Sequence, residues 1–169
     1  MEKIIFLDID GVLNCKNTFK EKKEERVFYN KFLEKNDFNL AKISMCDIDF
    51  EKLELLKYIV LETNAKIVIS SSWKKLRYYL LIEELLINKG IPIIGATPYI
   101  NNKRGTEIRK YLSENEVNDF IIIDDEIFND YDDELINHLV KTDFYNEGLN
   151  EEKAYEAINL IRKKLWLKK

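Results

Sequence analysis

Four short apolar runs, at residues 3–8, 66–69, 91–94 and 120–123, each give way to a polar cluster. Runs of that length, rich in Ile, Val and Phe, predict buried strands. Between them the apolar positions recur at helical spacing. Leu53, Leu56, Ile59 and Val60 share one face of a helix that Asp49 is placed to cap. Residues 76–88 predict a second helix closed by Gly90, and residues 106–113 a third. A weak strand at 139–141 and an amphipathic helix at 151–165 complete the pattern. Short apolar strands alternating with helices predict an α/β fold with a parallel sheet covered on both faces. In such folds ligands bind beyond the carboxyl ends of the strands, beside the point where the strand order reverses.

Composition narrows the classes. A length of 169 residues fits one domain, and 46% hydrophobic against 34% charged residues is a balance that can bury a core. Only five Gly and two Pro exclude collagen-like and low-complexity chains, and no apolar run approaches a membrane span. A net charge of −4 argues against binding nucleic acid by bulk electrostatics. The bases are nonetheless bunched, at residues 16–26 and again at 162–169. Two cysteines, Cys15 and Cys46, make no disulfide framework, and no signal-peptide pattern opens the sequence, so a cytoplasmic location is expected. A single histidine excludes mechanisms that need two imidazoles.

The polar groups that follow the strands carry the chemistry. They are Asp8 and Asp10, then Ser70, Ser71 and Ser72, then Asp124 and Asp125, with the basic pair Lys103–Arg104 ahead of the third of these helices. Carboxylates gathered at one sheet edge repel unless a cation sits among them, and a hard divalent ion such as Mg²⁺ meets that need with few protein ligands. Acids, hydroxyls and a base around one such ion suit phosphoryl chemistry.

The segment IIFLDIDGVLN, residues 4–14, resembles the first motif of the haloacid dehalogenase (HAD) superfamily of phosphohydrolases. KIVISSSW, KRGTEIRKYL and IIIDDE are similar to its second, third and fourth motifs, in the same order. These segments, with the late GLNEEKAYEAI, are also similar to HAD domains associated with RNA-repair proteins. The resemblance implies a three-layer Rossmann-like fold and a two-step phosphatase mechanism. Asp8 is then the nucleophile and Asp10 the acid and base. Ser71, favoured over Ser70, and Arg104, with Lys103 as the fallback, bind phosphate. Mg²⁺ is held by Asp8, the Asp10 carbonyl and Asp124, with Asp125 as a further ligand or a group behind them. Arg104 departs from the lysine more usual at its place, a change that is not conservative in geometry.

Other candidates read as structural. Asp47–Asp49 repeats the spacing of Asp8–Asp10, but no apolar strand precedes it and Phe50 replaces the glycine, so helix capping is preferred. Trp73 reads as packing, His138 as structural and Cys15 as inert. Residues 15–48 are enough for a flap or small helical pair and not for a cap domain. An open site of that kind favours phosphates on nucleotides, nucleic-acid ends or other projecting substrates. The flap bases, with Phe28, Tyr29 and Phe32, either hold such a substrate or pack the flap down. A phosphatase for small metabolites and a non-catalytic binding protein are the alternatives.

Overall fold

A computed structural model of the chain describes residues 2–32 and 37–167, with backbone alone at 29–32, 37–39 and 163–167. Strand β1 (Glu2–Leu7) is followed by three helices, α1 (Lys16–Glu21), α2 (Lys23–Phe32) and α3 (Asp37–Met45). Then come α4 (Phe50–Thr63), β2 (Lys66–Ile69), a 3₁₀ turn (Ser72–Lys75) and α5 (Tyr79–Asn88). Strand β3 (Ile93–Ala96), α6 (Arg104–Glu114), β4 (Val117–Asp124), α7 (Asp133–Asn137), β5 (Leu139–Lys141) and α8 (Glu151–Leu167) close the sequence. The five strands form one parallel sheet in the order β3-β2-β1-β4-β5.

Strand periodicity divides the core in two. Ile5 and Leu7, Ile67 and Ile69, and Ile121 and Ile123 face one side, where Leu53, Leu56 and Ile59 of α4, Ile82 and Leu86 of α5 and Ile158 of α8 cover them. Ile4 and Phe6, Val68, and Phe120 and Ile122 face the other, against Ile108 of α6 and Leu135 of α7. Alternate side chains of a strand point to opposite faces, so a continuous apolar run is what a sheet buried on both sides requires.

The predicted elements are present with shifted edges. Strand β3 starts two residues late because Pro92 has no N–H to enter the ladder, although its carbonyl still accepts from Ile67 N at 3.0 Å. The helix expected from residue 76 starts at Tyr79, after Ser71 has capped the 3₁₀ turn. The segment between β1 and α4 holds three helices rather than a pair. It is anchored by Ala41 and Ile48 in the core and by a 3.4 Å bond from Ser44 Oγ to the Tyr78 hydroxyl. Tyr29 and Phe32 lie outside the described side chains.

Candidate active site

The chain leaves the sheet in opposite directions from β1, which sits between β2 and β4, and the carboxyl ends of β1 and β4 therefore bound a crevice. Asp8 follows β1 directly and its N–H donates to Ile123 O at 3.0 Å, which fixes it beside the end of β4. Gly11 then turns the chain with φ +71°, and a Cβ there would stand 2.3 Å from the Asp125 carboxyl carbon. Only glycine allows both that turn and that approach. The Gly11 N–H donates to Asn14 Oδ1 at 2.9 Å, which directs the Asn14 amide nitrogen to Asp10 Oδ1, also 2.9 Å away. The other Asp10 oxygen accepts from Trp73 Nε1 at 3.0 Å. Trp73 is thus buried packing, as expected, and also an N–H donor that orients Asp10.

Arg104 opens α6, and its Nη1 lies 3.6 Å from Asp8 Oδ1 and 3.5 Å from Asp124 Oδ2. Its guanidinium carbon sits 4.9 Å from the centre of the Phe128 ring. Lys103 caps the same helix but is exposed, so the structure brings Arg104 and not Lys103 to the carboxylates. Ser71 accepts from Trp73 N at 3.4 Å and its hydroxyl helps lower the Asp8 carboxyl, whereas the buried Ser70 hydroxyl has no hydrogen-bond partner among the described residues. Asp8, Asp10, Ser71, Arg104 and Asp125 line one cleft of about 470 Å³, with Asp124 buried behind it. Two larger hollows lie to one side, lined by mixed polar residues of α1, α4 and the loop after β5.

Ligand atoms of Asp8, Asp124 and Asp125 all lie within 4.8 Å of one another. Burial pushes the Asp8 carboxyl above its ordinary range, and Arg104 offsets only part of that. Asp124 is raised further, by burial and by the Asp8 charge, and Asp125 is raised by burial and by Glu126. Arg104 rises instead: burial opposes its charge, but Asp8 and Asp124 outweigh burial.

A family model described as the HAD domain in Swiss Army Knife RNA repair proteins matches residues 4–154. The chain belongs to this HAD family. No curated protein and no solved structure matches it. Membership points to a hydrolase of the phosphatase type, and HAD domains generally use Mg²⁺. The residues of this HAD domain fit that ion. Three carboxylates converge, burial raises all of them in the absence of a cation, and Asp124 Oδ2 is buried with no hydrogen-bond donor.

Much of the cleft wall of the HAD domain carries no motif. Lys74 reaches from the 3₁₀ turn to Thr97 Oγ1 at 2.6 Å and Glu107 Oε2 at 2.5 Å. Burial lowers the Lys74 ammonium, and the Glu107 contact opposes that shift. Glu107 also accepts from the Ile100 N–H at 2.9 Å, so the pair ties the second motif to the first turn of α6. Lys75, Asn102, Phe128, Phe144 and Tyr145 line the cleft as well, and no described flap residue does. Only the pairing of Lys74 with Glu107 had a signal in sequence, a base just after the second motif and an acid inside the third.

The residues read as structural divide. Asp49 caps α4 by accepting from Glu51 N at 2.9 Å, and it holds Lys52 and Thr18 as well. Asp47 does not cap. It is buried, with Arg26 Nε of α2 at 3.1 Å, because the turn before α4 folds it under the flap. His138 stacks on Phe120 at 4.1 Å and ends α7. Cys15 is buried against the Thr18 hydroxyl at 3.6 Å, without an imidazole partner among the described residues.

Proposed function

We propose that this HAD domain is a Mg²⁺-dependent phosphatase that works through an aspartyl-phosphate and acts on nucleotide or nucleic-acid-end phosphates. The observation that carries the reading is the convergence of Asp8, Asp10, Ser71 and Arg104 on one cleft at the reversal of strand order. An Asp8 carboxylate oxygen attacks phosphorus, the P–O bond to the leaving group breaks, and Asp10 gives its proton to that oxygen. Water then attacks phosphorus while Asp10 takes back a proton, and the bond to Asp8 breaks to release phosphate. Ser71 donates to a phosphoryl oxygen, and Arg104 sets a full positive charge beside Asp8. Asn14 and Trp73 keep the Asp10 carboxyl at the edge of the cleft through these proton transfers. Asp8, the Asp10 carbonyl and Asp124, with Asp125 as a further ligand or a group behind them, would hold Mg²⁺, which would supply positive charge against the repulsion of an anionic substrate. The open cleft, free of flap residues among those described, favours phosphates on projecting substrates.

The test is turnover of an aryl phosphate with Mg²⁺, with excess chelator, and with Asp8→Asn. Asn keeps the shape and removes the attacking charge, so a loss of several orders of magnitude is expected, on the order of 10³ or more. A variant that keeps a tenth of parental turnover would remove Asp8 from the mechanism.

A further inference from the structure

Phosphate chemistry accounts for the floor of the cleft and leaves its walls unexplained. On one side Lys75 donates to Asn102 Oδ1, and its ammonium lies 4.4 Å from the centre of the Tyr99 ring. Asn101 and Asn102 both adopt left-handed backbone, at φ 49° and 60°, and this presents the Asn102 amide to Lys75. Asparagine tolerates that conformation better than most residues, yet two in succession mark a turn held for a purpose. On another side Tyr145 lines the cleft, and Lys16 of α1, outside that lining, has its Nζ 5.9 Å from the centre of the ring. Tyr99 is 53% and Tyr145 76% exposed, so each ring keeps a face open to solvent, although Tyr145 also meets Phe144 edge-on at 5.5 Å. No carboxylate pairs with Lys16 or Lys75 among the described residues.

Topology sets the two rings apart. Lys75 follows β2 and Tyr99 follows β3, whereas Lys16 follows β1 and Tyr145 follows β5, and β1 and β4 with their aspartates run between the two tyrosine loops. Strands β3 and β5, which lead into the two tyrosine loops, are four strand spacings apart, on the order of 19 Å, so the two rings address different parts of a substrate. A lysine beside an exposed aromatic ring offers one charge for a phosphodiester and one face for a base. From a sugar that carries a phosphate, the base and the next phosphodiester leave in different directions.

Resting on the phosphatase reading above, we infer that the substrate is a single-stranded nucleic acid of at least two nucleotides, gripped beside its terminal phosphate by Lys75–Tyr99 and Lys16–Tyr145. Contact at these two pairs, rather than a general positive field, reconciles such a substrate with a net charge of −4.

The experiment compares p-nitrophenyl phosphate, a nucleoside monophosphate, and terminally phosphorylated single strands of two, three and six nucleotides, in ribose and deoxyribose form. The expected kcat/KM rises from the monophosphate to the trinucleotide and then levels off. Tyr99→Ala and Tyr145→Ala each lower the trinucleotide-to-aryl-phosphate ratio about tenfold. Tyr→Phe at either position restores the ratio, and Tyr155→Ala, an exposed tyrosine on α8, leaves it where it was. Lys75→Gln reduces the log–log salt slope for the trinucleotide by about 0.7. A kcat/KM flat from monophosphate to trinucleotide, or a ratio unmoved in both alanine variants, overturns the inference. Anisotropy of a labelled trinucleotide on Asp8→Asn reads binding without turnover. Tyrosine-dependent binding without hydrolysis by the parent supports the grip and sinks the phosphatase reading. Hydrolysis by the parent without tyrosine-dependent binding sinks the grip alone.

Discussion

Asp47 sits under the flap with Arg26 beside it, and burial raises its carboxyl to about 6, helped by the Asp10 charge and opposed by Arg26. A carboxyl raised above its unfolded value of about 3.9 adds stability that is full below that value and is lost as pH rises through about 6. Asp47→Asn mimics the neutral form. Its unfolding free energy, followed by urea melts, is therefore expected to match the parent near pH 4 and to gain on it as pH rises through about 6. Trp73 yields a second expectation. Trp73→Phe keeps the ring in the core and removes the donor to Asp10, so kcat should fall about tenfold while KM barely moves, a charge-assisted bond being worth about 1.5–3 kcal/mol. Motif spacing located Asp8, Asp10, Ser71, Arg104, Asp124 and Asp125 in sequence, because each follows a strand or opens a helix. The indole N–H on Asp10 was not legible, since nothing in a string of residues tells a packing tryptophan from a donating one.

Helix α6 begins at the cleft, and its first turn is held from two sides. A Cβ on Gly105 would stand 2.3 Å from Asp130 O, a backbone atom that cannot swing away. Gly105→Ala therefore has to push the helix start off the loop after β4, with a cost of about 1–3 kcal/mol and a fall in turnover, because Arg104 moves with the backbone. Melting temperature and kcat measured together check both halves. At the start of α4, Asp49 caps the helix and binds Thr18 of α1, so one side chain fastens flap to core. Asp49→Ala is expected to cost about 1–2 kcal/mol and Asp49→Asn less. The strands and main helices were readable from periodicity alone, since burial on both sheet faces leaves unbroken apolar runs. The flap was not. Helix α2 carries six charged or amide residues among KEERVFYNKF, and its Val27 and Phe28 are exposed, so little in it announces a helix packed into the core. Edges shifted where a single chemical detail intervened, as Pro92 does at β3.

The whole molecule concentrates buried charge at one edge of its sheet, and that concentration links stability to the metal. Without a cation Asp124 is held above its ordinary range by burial and by Asp8, so Asp124→Asn should melt higher than the parent in chelator at pH 7. With Mg²⁺ at a hundred times its dissociation constant the parent should gain about 2.7 kcal/mol, and the variant little. Scanning calorimetry with and without the ion reads both. No described helix is long and apolar enough to cross a membrane. The loop that carries Asp8 and Asp10 is completed from far along the chain. Thr142 Oγ1 donates to Gly11 O at 2.7 Å, Leu149 N donates to Val12 O at 3.0 Å, and Gly148 packs against the Val12 and Asn14 carbonyls. During translation, this loop leaves the ribosome 131 residues ahead of Thr142. At about 5–20 residues per second that is an interval on the order of 7–26 seconds. For that time the loop lacks the contacts that shape it, so a nascent chain has no assembled site and a fragment that stops short of Leu149 is expected to be inert.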